Sequence, residues 1–316
     1  MLWTMRIYLH CAMLEHDTGP GHPERSDRLR PLWRDLEAAA LRGEIELAQA
    51  REAAPEEIAL LHDPAYVEEV DHASRIGHGV LHTEDNPVSS GTFRAARLAA
   101  GAAIQAVDDV MEGKSKRAFG VVRPPGHHAR KSRAMGFCFF NNIALAAQRL
   151  RTRWNLKKIA ILDWDAHHGN GTQEFFYATS QVLFLSLHGD PGLTWPGTGY
   201  PEERGDGEGH GFTLNLPAPS GITDTAYQRL FMEKALPALE EYHPEFLLVS
   251  CGFDAHREDP LVPNLSLGDE TFIRMMEESS ALAQRCCAGR CVIILEGGYN
   301  PEVVRRLGME VVRRMG

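Results

Sequence analysis

The sequence holds no Cys-x-x-Cys pair. Its six cysteines are scattered, and the two adjacent ones, Cys286 and Cys287, are neighbours of the kind that seldom bridge each other. A thiolate zinc site, a dithiol redox motif and a disulfide framework are therefore excluded as organising devices. Reduced thiols in a cytoplasmic protein are the expectation. No apolar run approaches the length of a membrane span, and Met1 to Leu9 lacks the apolar core and cleavage site of a secretory leader. Neither a membrane nor export is expected. Base is in short supply: 33 Lys and Arg stand against 43 Asp and Glu, a net charge of −10. That balance argues against nucleic acid as a partner and is compatible with a cationic substrate. No linker-like stretch and no internal repeat divides the 316 residues. They are expected to form one domain, 1–316.

With 43% hydrophobic residues there is ample material for a core. Short apolar runs at 6–9, 118–122, 159–162, 182–185, 212–216, 246–249 and 292–295 are expected strands. Between them lie helical stripes. One carries Leu29, Leu32, Trp33, Leu36 and Ala40 behind a cap at Ser26 or Asp27; others fall at 64–76, 92–111, 141–150, 171–177, 226–242, 271–287 and 302–315, with a short helix opening at Pro55. Two polar segments, 15–25 and 77–88, are expected loops, the first at the rim of a site. Apolar strands alternating with amphipathic helices predict a mostly parallel sheet with helices on both faces.

The polar chemistry follows the strands. Five of the runs end in His128, in Asp163-Trp164-Asp165-Ala166-His167-His168-Gly169-Asn170-Gly171, in Ser186-Leu187-His188, in Gly252-Phe253-Asp254 and in Glu296-Gly297-Gly298-Tyr299. In open α/β sheets ligands bind beyond the carboxyl ends of the strands, so these segments should converge. A carboxylate and an imidazole two residues apart just past a strand, as at Asp165 and His167, can turn toward one point. That suits a metal, although a capped helix start has the same composition. The tandem His127-His128 after Pro124-Pro125-Gly126 suits proton transfer near neutrality.

Taken together and in order, these motifs, with Gly136-Phe137-Cys138, Asn141-Asn142 and Pro196-Gly197-Thr198-Gly199, resemble the zinc-dependent histone deacetylase family in its class II-like bacterial branch. The resemblance covers nearly the whole chain from the first polar loop onward. It implies the single-domain arginase/deacetylase fold, with the active site at the carboxyl ends of the strands. It also implies hydrolysis of an acyl-lysine amide by a zinc-activated water. The implied metal ligands are Asp165, His167 and Asp254, for zinc or ferrous iron. Two carboxylates and one imidazole with an open position match a catalytic rather than a structural metal. Arginases of the same fold need a further Asp two residues after the His. Gly169 stands there, which argues for one catalytic metal.

The other roles are likewise implied. His128 is the base and acid, and His127 its electrostatic partner. Asp163 orients His127 and Asn170 orients His128. Tyr299 is the oxyanion donor; some members carry His there and deacetylate poorly. Phe137 and Trp195 flank the alkyl chain, Gly136 lets the backbone approach it, and Leu261 sits where polyamine-selective members carry an acidic gatekeeper. Asp85 is a candidate to bind substrate backbone amides. Asp163, Asp165, His167, Ser186 and Leu187 match a potassium site, and Phe176, Thr179 and Val182 a second cation site. The expected partner is an acyl-lysine peptide or protein, or a small acetylated amine. Two alternatives stay open at this point: an acetylpolyamine amidohydrolase, and a catalytically silent acyl-lysine binding module.

Overall fold

The apolar runs of the sequence become neighbouring strands. A computed structural model describes residues 5–262 and 264–316. Its strands are β1 (Arg6–Leu9), β2 (Glu46–Gln49), β3 (Arg117–Gly120), β4 (Ile159–Asp163), β5 (Val182–Gly189), β6 (Thr213–Ala218), β7 (Phe246–Cys251) and β8 (Cys291–Leu295). They form one sheet in the order β2-β1-β3-β8-β7-β4-β5-β6. Every neighbouring pair is parallel. The helices are α1 (Arg30–Leu41), α2 (Pro55–Ile58), α3 (Pro64–Ile76), α4 (Thr92–Met111), α5 (Asn142–Thr152), α6 (Asn170–Phe176), α7 (Asp224–Leu230), α8 (Leu236–Tyr242), α9 (Asp269–Cys286) and α10 (Pro301–Met315).

Every residue of β4, β5, β7 and β8 is buried. A parallel sheet reaches that state only with cover on both faces. The cover comes from two packed sets, α4 with α5 and α1 with α10 and α9. No helix among the described residues is long and apolar enough to cross a membrane.

Three local departures from the sequence expectation have physical causes. Strand β2 was not expected, because Glu46 and Gln49 are exposed on the sheet's edge and leave no apolar run. Residues Ser26–Arg28 form a 3-10 turn, and α1 begins after it without a side-chain cap from Ser26 or Asp27. The helix expected over 226–242 is interrupted by a π-helical turn, Phe231–Ala235. Pro237 lies just beyond it. A proline there has no N–H to give and crowds the carbonyl four residues back, and a widened turn accommodates both.

Strands β3, β8, β7 and β4 are adjacent in the sheet. Their carboxyl ends therefore deliver residues 121–128, 296–299, 252–254 and 163–168 to one place.

Candidate active site

Asp163 ends β4, and the chain then turns. The backbone N–H of Asp165 donates to Asp163 Oδ1 at 3.1 Å, and that of His167 to Asp165 Oδ1 at 2.9 Å. These bonds make the backbone fold over the carboxylates and set Asp165 and His167 on one side. From the end of β7 comes Asp254, whose Oδ1 accepts from Ala166 N–H at 2.8 Å. From the end of β8, Gly297 N–H donates to Asp165 Oδ2 at 2.8 Å. The ligand atoms of Asp165, His167 and Asp254 all lie within 4.8 Å of one another. His167 Nδ1 is 2.8 Å from Asp254 Oδ2 and 3.2 Å from Asp165 Oδ1.

This donor set fits a divalent ion. Two fully buried carboxylates facing one another are costly unless a cation compensates them. Burial raises the Asp254 carboxyl, and the adjacent Asp165 raises it further. Burial alone lowers His167, but Asp254 and Asp165 outweigh it and push the ring up to about 10. An ion taking that nitrogen therefore displaces a proton. A Cβ on Gly169 would lie 2.3 Å from Asp163 Oδ2. That oxygen is the one facing His127, so a side chain at 169 would dislodge it.

The two tandem imidazoles stand beside this group, ring centroids 3.9 Å apart. His127 Nδ1 lies 3.0 Å from Asp163 Oδ2, and His128 Nδ1 lies 2.8 Å from Asn170 Oδ1. Burial lowers His127, but Asp163 and Asp165 overcome it and push the ring up to about 10. For His128 burial dominates and the neighbouring His127 and His167 reinforce it, so its pKa falls well below the usual value. Charge is thus favoured on His127 and disfavoured on His128. Asn170 can only accept from a protonated Nδ1 if its oxygen faces the ring, which leaves His128 Nε2 free as a proton acceptor.

A cavity of about 200 Å³ leads to these groups, lined by Asp85, His128, Gly136, Phe137, His167, Trp195, Leu261 and Tyr299. Gly136 and Phe137 both adopt positive φ, +58° and +66°. A Cβ on Gly136 would lie 2.5 Å from both His128 and Trp195. The left-handed conformation at Phe137 costs about 1–3 kcal/mol. It is held by the 77–88 loop: Phe137 N–H donates to Asn86 Oδ1 at 2.9 Å and Gly136 N–H to Asp85 Oδ2 at 3.1 Å. The other oxygen of Asp85 is buried and has no hydrogen-bond partner among the described residues. The 15–25 loop does reach the rim, where the His22 ring packs edge-on to Phe137 at 4.8 Å.

These features match a known family across the chain. The family model described as the histone deacetylase domain matches residues 22–315. The chain belongs to the histone deacetylase family. This histone deacetylase-family chain is 41% identical over 298 residues to a protein of Archaeoglobus fulgidus named "Probable deacetylase", covering 94% of this chain and 81% of the relative. It is 38% identical over 295 residues to a "Histone deacetylase-like amidohydrolase" of Pseudomonas aeruginosa, covering 93% and 77%. Among solved structures, the HDA15 HD domain superposes with a TM-score of 0.91 at 36% identity, over 99% of this chain and 89% of that one. The single α/β domain is thus the deacetylase-family fold.

Most of the residues singled out from the sequence meet at this site. Ser186 pairs in register with Asp163 across β4 and β5, and Leu187 follows it, so both lie beside the start of the loop that carries Asp165 and His167. Phe176, Thr179 and Val182 sit apart from the tunnel, at the turn from α6 into β5. His168 points away, to Thr198 at 2.8 Å and Gln173 at 3.0 Å.

Sequence reasoning assigned no role to four residues that shape the site. Glu296 Oε2 accepts from Gly126 N–H at 2.7 Å and from His127 N–H at 3.2 Å, and burial pushes its carboxyl up to about 7. Asp259 Oδ2 accepts from Tyr299 N–H at 2.6 Å. Arg28, fully buried, donates to Gly298 O at 3.1 Å and Glu296 O at 2.9 Å, and so fixes the turn that carries Tyr299. Asn86 holds the Phe137 turn. For Glu296 a signal existed: a carboxylate directly after an unbroken apolar strand seldom stands idle.

Proposed function

We propose that the chain hydrolyses the amide of acyl-lysine side chains, with zinc or ferrous iron held by Asp165, His167 and Asp254. The observation that carries this reading is one cavity of about 200 Å³ lined by the rings of Phe137 and Trp195 together with His128, His167 and Tyr299. Flat apolar walls accept a methylene chain and leave its peptide end outside. A divalent ion in this position supplies Lewis acidity, polarising the amide carbonyl and making water a nucleophile near neutral pH.

The chain's own groups do the rest. His128, neutral, takes the proton of the attacking water at Nε2. Its Nδ1–H remains on Asn170, which fixes the ring. The cationic His127, paired with Asp163, stabilises negative charge that develops beside it. Tyr299 donates its phenolic proton as a hydrogen bond to the oxyanion. Burial, then Asp254 and Asp165, hold that phenol well above its ordinary pKa, so it stays a donor. His128 then gives its proton to the departing lysine amine. At the mouth, Asp85, which lines the cavity, is the group assigned to substrate backbone amides, and Leu261 presents a neutral edge. A potassium ion behind the ligand loop, at Asp163, Asp165, His167, Ser186 and Leu187, and a second cation at Phe176, Thr179 and Val182, complete the proposal.

An acetylated polyamine is the second reading, favoured by the negative charge of exposed Glu84 next to Asp85 at the rim. The test of the main reading is acetate release from an acetyl-lysine peptide by chain stripped with chelator and then reloaded with zinc. Zinc-dependent turnover supports it. Tight peptide binding without turnover by the zinc-loaded chain would instead mark a silent acyl-lysine binder.

A further inference from the structure

A larger cavity, about 730 Å³ against about 200 Å³ for the tunnel, opens at the other end of the strands. Its lining includes Lys157 and Lys158, just before β4; Ser180 and Gln181, just before β5; and Phe212, just before β6. Of these strands β4 carries Asp165 and His167 beyond its opposite end. The span of β4 alone separates the two sites by roughly 15 Å.

The cavity combines an apolar floor with a cationic rim. Leu183, Leu214 and Phe212 contribute to the floor, with Tyr242 from the end of α8. Tyr242 is fixed there: its hydroxyl donates to Ser180 O at 3.0 Å, and its ring meets Phe212 at 5.8 Å edge to face. Lys158 Nζ stands 5.7 Å from the centre of the Tyr242 ring. Arg204 reaches the rim from the loop after β5, where its carbonyl accepts from Gly211 N–H at 2.6 Å. Among the described residues neither the Lys158 ammonium nor the Arg204 guanidinium has an ion pair or hydrogen bond, although Glu245 Oε2 accepts from the Lys158 backbone N–H at 2.9 Å. Lys157 adds a third cation, and Glu241 is the one carboxylate in the lining. Three cations against one anion is a local excess of positive charge on a chain whose net charge is −10.

We propose that this cavity is a second ligand site, for a small amphipathic anion: a phosphate or carboxylate joined to a flat apolar group. The volume suits a small molecule. The anion lies between Lys158 and Arg204, and the flat group lies on the Tyr242 and Phe212 rings. The site is separate from the tunnel, and only the hydroxamate arm of its test rests on the deacetylase reading.

The test uses the full zinc-loaded chain. 1-Naphthyl phosphate, 1-naphthoate and inorganic phosphate are titrated calorimetrically, with and without a hydroxamate seated in the tunnel. At least one aryl anion should bind with 1:1 stoichiometry whether or not the hydroxamate is present, and the two aryl arms distinguish phosphate from carboxylate. The double variant Lys158→Ala/Arg204→Ala should weaken that binding by about tenfold or more. Both side chains are exposed, so the fold should survive, as circular dichroism checks. Four results would overturn the proposal: no aryl anion binding, unchanged binding in the double variant, displacement by the hydroxamate, or inorganic phosphate binding as tightly as its naphthyl ester.

Discussion

His128 Nδ1 lies 2.8 Å from the carboxamide oxygen of Asn170, so the proposed base is oriented by a neutral group. A carboxylate in its place would favour the charged imidazole. Asn170→Asp should therefore raise the pKa of His128. A base must be neutral to act, so the acidic limb of the pH profile of kcat/KM should move to higher pH, by about one unit. Profiles of the variant and the parent, measured side by side, check this. An unchanged limb would show that the partner at 170 does not set the basicity of His128.

Tyr299 faces the cavity with its backbone pinned by Asp259 and by Arg28, through the Gly298 carbonyl. Tyr299→Phe removes one hydroxyl and leaves those bonds in place. If the phenol stabilises only the transition state, kcat should fall by about 10²–10³-fold with KM nearly unchanged. Steady-state kinetics on an acetyl-lysine peptide give both constants. A rise in KM at constant kcat would assign Tyr299 to ground-state binding instead.

Asp85 has one oxygen on Gly136 N–H at 3.1 Å and the other buried without a hydrogen-bond partner among the described residues. Asp85→Asn keeps the shape and removes the charge. KM for an acetyl-lysine within a peptide should rise by about tenfold, the value of a charge-assisted hydrogen bond. KM for an acetylated alkylamine, which has no flanking amides, should change far less. An equal change for both substrates would reduce Asp85 to a support for the Phe137 turn.

Beneath the site, Glu24 Oε1 accepts from Arg28 Nε at 3.1 Å and from Arg123 Nε at 2.9 Å, all three side chains fully buried. Burial alone would raise the Glu24 carboxyl, but Arg123 and Arg28 outweigh it and hold it below its ordinary value. A depressed carboxylate stabilises the fold above its unfolded pKa, and that stabilisation is lost as the pH falls through the folded value. Glu24→Gln leaves two buried guanidiniums uncompensated and should cost about 3–5 kcal/mol at pH 7. Denaturation across pH should show the gap between variant and parent narrowing in acid. A gap that is small at pH 7 would contradict the account.

The strands were legible in the sequence because burial on both faces demands unbroken apolar runs, as in Ile159–Asp163 and Phe246–Cys251. The proposed metal ligands were legible because the motifs that resemble the family, Asp165-Ala166-His167 and Gly252-Phe253-Asp254, come soon after such runs. Edge strand β2 was not, since half-exposed Glu46–Gln49 carries no pattern. Nor was the Glu24, Arg28 and Arg123 cluster, whose partners Glu24 and Arg123 are 99 residues apart in sequence. Charges in isolation look like solvated surface, and only the fold shows them buried. Asn86 was hidden for the same reason: a loop asparagine gives no sign that it props a strained phenylalanine 51 residues away.

The most direct test of the central claim compares two substrates on one zinc-loaded preparation. The measurement is kcat/KM for an acetyl-lysine peptide and for N-acetylputrescine. A neutral Leu261 at the mouth, where a polycation would gain from a carboxylate, predicts preference for the peptide by about tenfold or more. Comparable values, or a preference for the polyamine, would contradict the assignment of acyl-lysine as the substrate.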